Sequence, residues 1–159
     1  MDVKTEKPVT KETLFHTASL SKTFVAMGVM ILVEQGKLQL DHPVKHYIPT
    51  FSLSDQRDGR ITVRHLLMHN SGMPDEADFQ WEHPETDDQA ISRYVKSLAS
   101  KQLDRDPGTE FAYSNIGYEI LGHVIEHVSG KPFETFMREE ILEELGMSAS
   151  DFFKREALS

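Results

Sequence analysis

The chain of 159 residues contains no cysteine, which excludes a disulfide framework, a thiolate nucleophile and a cysteine zinc site. It has one tryptophan and no apolar run of membrane-spanning length; the longest, Phe24 to Val33, is about half of what a bilayer needs. Positive charge is scarce too: 17 Lys and Arg stand against 26 Asp and Glu, a formal net charge of -9. No basic patch offsets that balance, so neither nucleic acid nor an anionic membrane is expected as a partner. The first ten residues, M-D-V-K-T-E-K-P-V-T, are charged and lack the apolar core of a secretory signal, which places the chain in the cytoplasm if that N-terminus is genuine.

What is present reads as an ordinary globular composition, 38% hydrophobic and 27% charged, without repeats or low-complexity tracts. The expectation is one predominantly α domain over residues 1–159. Its organising stretch runs from Thr17 to Gln35, where Thr17 or Ser19 suits the cap of a helix and Gly36 its stop. The apolar residues Phe24, Val25, Met27, Val29, Met30, Ile31, Leu32 and Val33 fall on every face, so the pattern predicts a helix buried all round.

Further along, Leu38 and Leu40 alternate as in a short strand or extended arm, and Pro43 to Phe51 reads as a compact turn. A helix with Thr62 as cap spans Ile61 to His69. The acidic stretch Asp75 to Pro84, carrying Trp81, reads as an irregular loop that either lines a pocket or is solvated, with solvation slightly favoured. Thr86-x-x-Gln89 has the form of a capping box before Ile91, Tyr94, Val95 and Leu98 at helical spacing, with an end near Lys101. After a turn at Asp106-Pro107-Gly108-Thr109, a helix is expected from Ile116 to Ser129 with Gly130 just past its end, then another from Pro132 through Leu142.

Ser19 and Lys22 stand one helical turn apart at the polar mouth of the apolar helix, where free N–H groups and the positive dipole end gather. Serine is a poor nucleophile without a neighbouring base, and a desolvated lysine can serve as one, so the pair is suited to forming an acyl-enzyme. Ser-x-x-Lys by itself also describes a capping serine followed by a solvated lysine. Tyr113-Ser114-Asn115, between a Pro-Gly turn and a helix, can present side chains at a cleft; alone, Tyr113 reads equally as a packed tyrosine and Asn115 as a helix cap.

Together the two motifs resemble those of the serine β-lactamase and penicillin-binding-protein superfamily, in particular the class C β-lactamase, D-aminopeptidase and esterase branch. The resemblance extends through Glu34 to Asp41, Ile61-Thr62-Val63-Arg64-His65-Leu66-Leu67-Met68-His69-Asn70-Ser71-Gly72, Pro107 to Gly122, Val128 to Pro132 and Leu145-Gly146-Met147, covering roughly Leu14 to Phe153. It implies the helical lobe of an α+β fold, with most of the antiparallel sheet missing from this chain. By the same resemblance Ser19 is the acylated nucleophile and Lys22 its proton acceptor or electrostatic partner. Tyr113 is the general base or acid, and Asn115 holds Lys22 and the substrate amide.

The implied substrate is a β-lactam, a D-amino-acid peptide or an ester. A non-catalytic module that keeps the cleft to hold a ligand is the competing reading. The family's third element, Lys-Thr-Gly or His-x-Gly on a strand, has no counterpart in the sequence. Bringing an ordinary tyrosine to neutrality as a base requires about 4 kcal/mol. Losing one oxyanion donor costs ~10²–10³ in rate. A feeble or inactive isolated chain is therefore expected, with an uncovered apolar face favouring self-association or a missing C-terminal half. The pairs His42/His46, His65/His69 and His123/His127 have zinc-ligand spacing, but no Glu follows His65 where a zinc hydrolase needs one, and neither metal nor cofactor is expected.

Overall fold

The computed structural model describes residues 8–11, 13–75 and 85–152. Trp81 and nearly all of the acidic loop fall outside them. Six α-helices occur among the described residues: α1 (Ser21–Glu34), α2 (Val44–Tyr47), α3 (Val63–Leu67), α4 (Ala90–Ser97), α5 (Asn115–Ser129) and α6 (Phe133–Met137). A π turn, Arg138–Leu142, continues α6, and short 3-10 turns precede α1 and follow α4. No strand forms in this part; one isolated antiparallel bridge joins Pro43 to Thr62. No strand forms at Leu38 and Leu40; Leu38 lies in irregular chain and Leu40 in a turn, and Lys37 and Leu38 N–H both fold back on Leu32 O, closing the end of α1. The expected turn after Pro43 contains α2.

The helix at the centre is α5. Ile116, Ile120, Leu121, Val124 and Ile125 are completely buried in it, and it packs against α1, α3, α4 and α6. Gly122 explains part of this reach, because a Cβ there would lie 2.7 Å from the Ile91 side chain of α4. By contrast α1 buries only Val25, Gly28, Val29 and Leu32, while Met27 and Met30 face outward and remain 42% and 48% exposed. The expectation of a helix buried on every face is thus corrected. One stripe of α1 meets α5 and α6, and the opposite stripe has no covering layer among the described residues.

Local signals set the ends. Thr62 Oγ1 accepts from His65 N–H and His65 Nδ1 accepts from Thr62 N–H, a reciprocal cap that starts α3. Gly130 closes α5 in the left-handed conformation at φ 71°. Two expected caps differ. Neither Thr17 nor Ser19 caps α1 by its side chain, because Ala18–Leu20 forms a 3-10 turn and the cap position is Leu20. At α4 the cap position Gln89 makes no side-chain cap; Asp87 Oδ1 takes its N–H instead.

Candidate active site

The 3-10 turn presents Ser19. Ala18 just before it is held at φ 47°, a left-handed conformation uncommon for alanine, and this sharp entry leaves the Ser19 hydroxyl on the surface. Lys22 follows in the first turn of α1 and is half-buried. The helix repeat brings its Nζ to 3.3 Å from Ser19 Oγ.

The opposite wall is built by the approach to α5. Ser114, not Asn115, caps that helix, its Oγ accepting from Gly117 N–H and donating to Pro74 O. With Ser114 turned inward, Tyr113 and Asn115 face Ser19 and Lys22. Ser19 Oγ and Tyr113 Oη share a hydrogen bond of 2.8 Å, and Lys22 Nζ donates to Asn115 Oδ1 at 2.6 Å. Tyr113 Oη also lies 3.4 Å from Asn115 Oδ1, and Lys22 Nζ stands 5.1 Å from the Tyr113 ring centre. All four residues singled out in the sequence therefore meet in one constellation.

Behind Tyr113 lies His69, to which the motifs gave no role. Its ring stacks on Tyr113 at 4.5 Å between centres, its Nδ1 accepts from Ser114 N–H, and its carbonyl accepts from Ala112 N–H. His69 itself sits at φ 53°, where the chain turns out of α3. Burial, reinforced by the Lys22 charge, holds its imidazole below the ordinary pKa, so the neutral ring is favoured. The H-N-S-G turn was the available signal, but only the fold shows that its histidine supports a tyrosine 44 residues later.

Burial alone would lift the Tyr113 phenol. Hydrogen bonding from Lys22 and Ser19 and the nearby ammonium more than offset it, and the phenol sits below its ordinary pKa of 10.0. Tyr118, one turn into α5, has no such relief and is raised by burial. A cleft of about 830 Å³ opens beside Lys22, with Tyr94, Tyr118, Glu119 and Phe133 in its lining. Glu119 reaches solvent in this cleft, yet the surrounding walls raise its carboxyl against the pull of Lys22.

Two of the histidine pairs form ring contacts, His42/His46 and His123/His127 each at 4.6 Å, while His65 and His69 serve the cap and the tyrosine stack. No group of three or more His, Asp or Glu able to hold a metal occurs among the described residues.

The arrangement provides a surface hydroxyl with a phenol as its nearest polar neighbour and a fixed cation beside both, the parts needed to move a proton off a nucleophile. The family model described as Beta-lactamase matches residues 1–158. The chain belongs to the Beta-lactamase family. It is 33% identical over 151 residues to penicillin-binding protein 4 of Amycolatopsis lactamdurans, covering 94% of this chain and 39% of that protein. Esterase EstB of Burkholderia gladioli is 30% identical, with 98% of this chain and 42% of the esterase covered. Among solved structures, the D-amino acid amidase of Ochrobactrum anthropi SV3 superposes with a TM-score of 0.72 at 31% identity, over 91% of this chain and 40% of the amidase. The chain thus spans about two-fifths of the length of these relatives. Its helices are the helical part of the β-lactamase/transpeptidase fold.

Proposed function

We propose that this chain carries the nucleophile of a serine hydrolase that works through an acyl-enzyme on an amide, β-lactam or ester carbonyl. The observation that carries the reading is the 2.8 Å contact of Ser19 Oγ with Tyr113 Oη beside the Lys22 ammonium. The substrate classes are suggested by relatives named as a penicillin-binding protein, an esterase and a D-amino acid amidase.

In the proposed first step Tyr113, as phenolate, takes the Ser19 proton while Oγ bonds to the carbonyl carbon. Lys22, anchored on Asn115, supports both oxygens electrostatically. Collapse of the tetrahedral intermediate breaks the bond to the leaving amine or alcohol, which takes the proton from Tyr113. Water then attacks the ester, Tyr113 accepts its proton, and Ser19 leaves with that proton returned.

The competing reading is a ligand-holding role without turnover. Labelling separates the two. A fluorophosphonate and a fluorescent penicillin are each expected to modify Ser19 covalently, and Ser19→Ala to abolish the modification. No labelling above the Ser19→Ala level sinks the acyl-enzyme reading. Hydrolysis of a chromogenic cephalosporin beside a short nitrophenyl ester then sorts the substrate.

A further inference from the structure

The segment 72–75 enters the site from a side that neither motif marks. Asp75 is a surface residue, and its Oδ1 accepts two hydrogen bonds from Asn115, one from the backbone N–H at 2.9 Å and one from Nδ2–H at 3.0 Å. Because Asn115 is the first residue of α5, the carboxylate also meets the positive end of a 15-residue helix.

This leaves the Asn115 amide one favourable arrangement. With Nδ2 on Asp75, Oδ1 faces Lys22 Nζ at 2.6 Å. The reversed amide would set an oxygen against a carboxylate and N–H donors against an ammonium, exchanging two charge-assisted bonds for two repulsions. We propose that Asp75 is a positioning residue of this site, locking the Asn115 amide so that the Lys22 ammonium stays beside Ser19 and Tyr113. Its catalytic consequence rests on the acyl-transfer reading; the lock is a property of the fold.

The groups facing Tyr113 are Ser19 and Lys22 from the start of α1, His69 from the turn after α3, Asn115 and Tyr118 from α5, and Asp75. Lys22 favours the phenolate and Asp75 opposes it. Losing the lock frees Lys22, whose influence on the phenol is larger than that of the Asp75 charge, so the phenol rises and the rise of acylation shifts to higher pH. Loosening the amide lowers the plateau as well, whereas a merely structural loss lowers the plateau alone.

Fluorophosphonate labelling rates of the 159-residue chain, followed from about pH 6 to about pH 10, test this with Ser19→Ala as blank. Asp75→Asn is expected to lower the plateau about tenfold and move the midpoint up, and Asp75→Glu to restore the midpoint and most of the rate. A profile that overlays the wild type, or one that loses only its plateau without rescue by Glu, overturns the proposal.

If the wild-type chain shows no Ser19-dependent labelling, the acyl-transfer reading fails and NMR judges the lock separately. The Asn115 side-chain amide pair, identified by its loss in Asn115→Ala, is expected to shift in Asp75→Asn and return towards its position in Asp75→Glu. A pair indifferent to Asp75→Asn overturns the lock.

Discussion

In the proposed reaction, Tyr113 is the residue on which the proton transfer turns. Its phenol lies below the ordinary value of 10.0, so the labelling rate should rise with pH and reach its plateau earlier than a free tyrosine would allow. Tyr113→Phe keeps the stack on His69 but removes the oxygen, and about a hundredfold slower labelling at the plateau is expected, with the pH dependence lost. Stopped labelling at several pH values measures both effects. A Tyr113→Phe profile that still rises with the wild-type midpoint would assign the base elsewhere. Ser19, Lys22, Tyr113 and Asn115 were legible from the motifs because helix spacing and a turn before a helix constrain where side chains point. His69 and Asp75 were not, since each acts through a contact between segments that are distant in sequence.

Elements are held by a few close approaches. Gly72 has φ 78°, and a Cβ there would come within 2.2 Å of Arg105 O, while its own carbonyl accepts from Asp104 N–H at 2.9 Å. This contact draws the turn after α3 against the segment leading to Tyr113. Gly72→Ala should therefore cost more than about 2 kcal/mol in urea unfolding, through strain and displaced backbone together. A cost within ~0.5 kcal/mol would mean that the segments shift freely.

Asp58 organises the stretch between α2 and α3. It is 6% exposed and accepts from Leu53 N–H at 3.0 Å and Gly59 N–H at 2.7 Å, with Lys45 Nζ at 2.9 Å. Burial raises its carboxyl, but Lys45 and the two backbone N–H groups more than offset this, so the folded pKa lies below the ordinary 3.8. The stabilisation is then complete above about pH 3.8 and fades as pH falls towards the folded value. Asp58→Asn should be less stable than wild type near neutrality by on the order of 2 kcal/mol, and the gap should narrow under acid. Unfolding curves at neutral pH and below the carboxylate range check this; a gap independent of pH counts against it. Capping was the least legible feature at this scale. Thr62 and Gly130 act as their residue types suggest, but Ser114 outcompetes Asn115 at α5 because Pro74 O is there to take its hydroxyl proton.

For the whole molecule the open question of physics is apolar surface. Met27 and Met30 on α1 are exposed, as are Phe15, Leu20 and Phe111, and Phe111 is 72% exposed. Exposed apolar side chains along α1 favour association, so the 159-residue chain is expected to self-associate with rising concentration in sedimentation experiments. Met27→Lys with Met30→Glu should weaken association without lowering stability, since both side chains point away from the core. A wild-type chain that sediments as a monomer at all concentrations would refute this.

The sequence by itself determined the helical class, the family and the two motifs, because helix periodicity, glycine stops and short-range spacing are local properties. It also contained the apolar run of α1 but not its environment. Only the tertiary structure decided that α5 is the hub, that one stripe of α1 is left bare, and that His69 and Asp75 support Tyr113 and Asn115. Those outcomes depend on which surfaces approach closely enough to exclude one another, at Gly72 against Arg105 and Gly122 against Ile91, and such long-range excluded volume leaves no periodic trace along a chain.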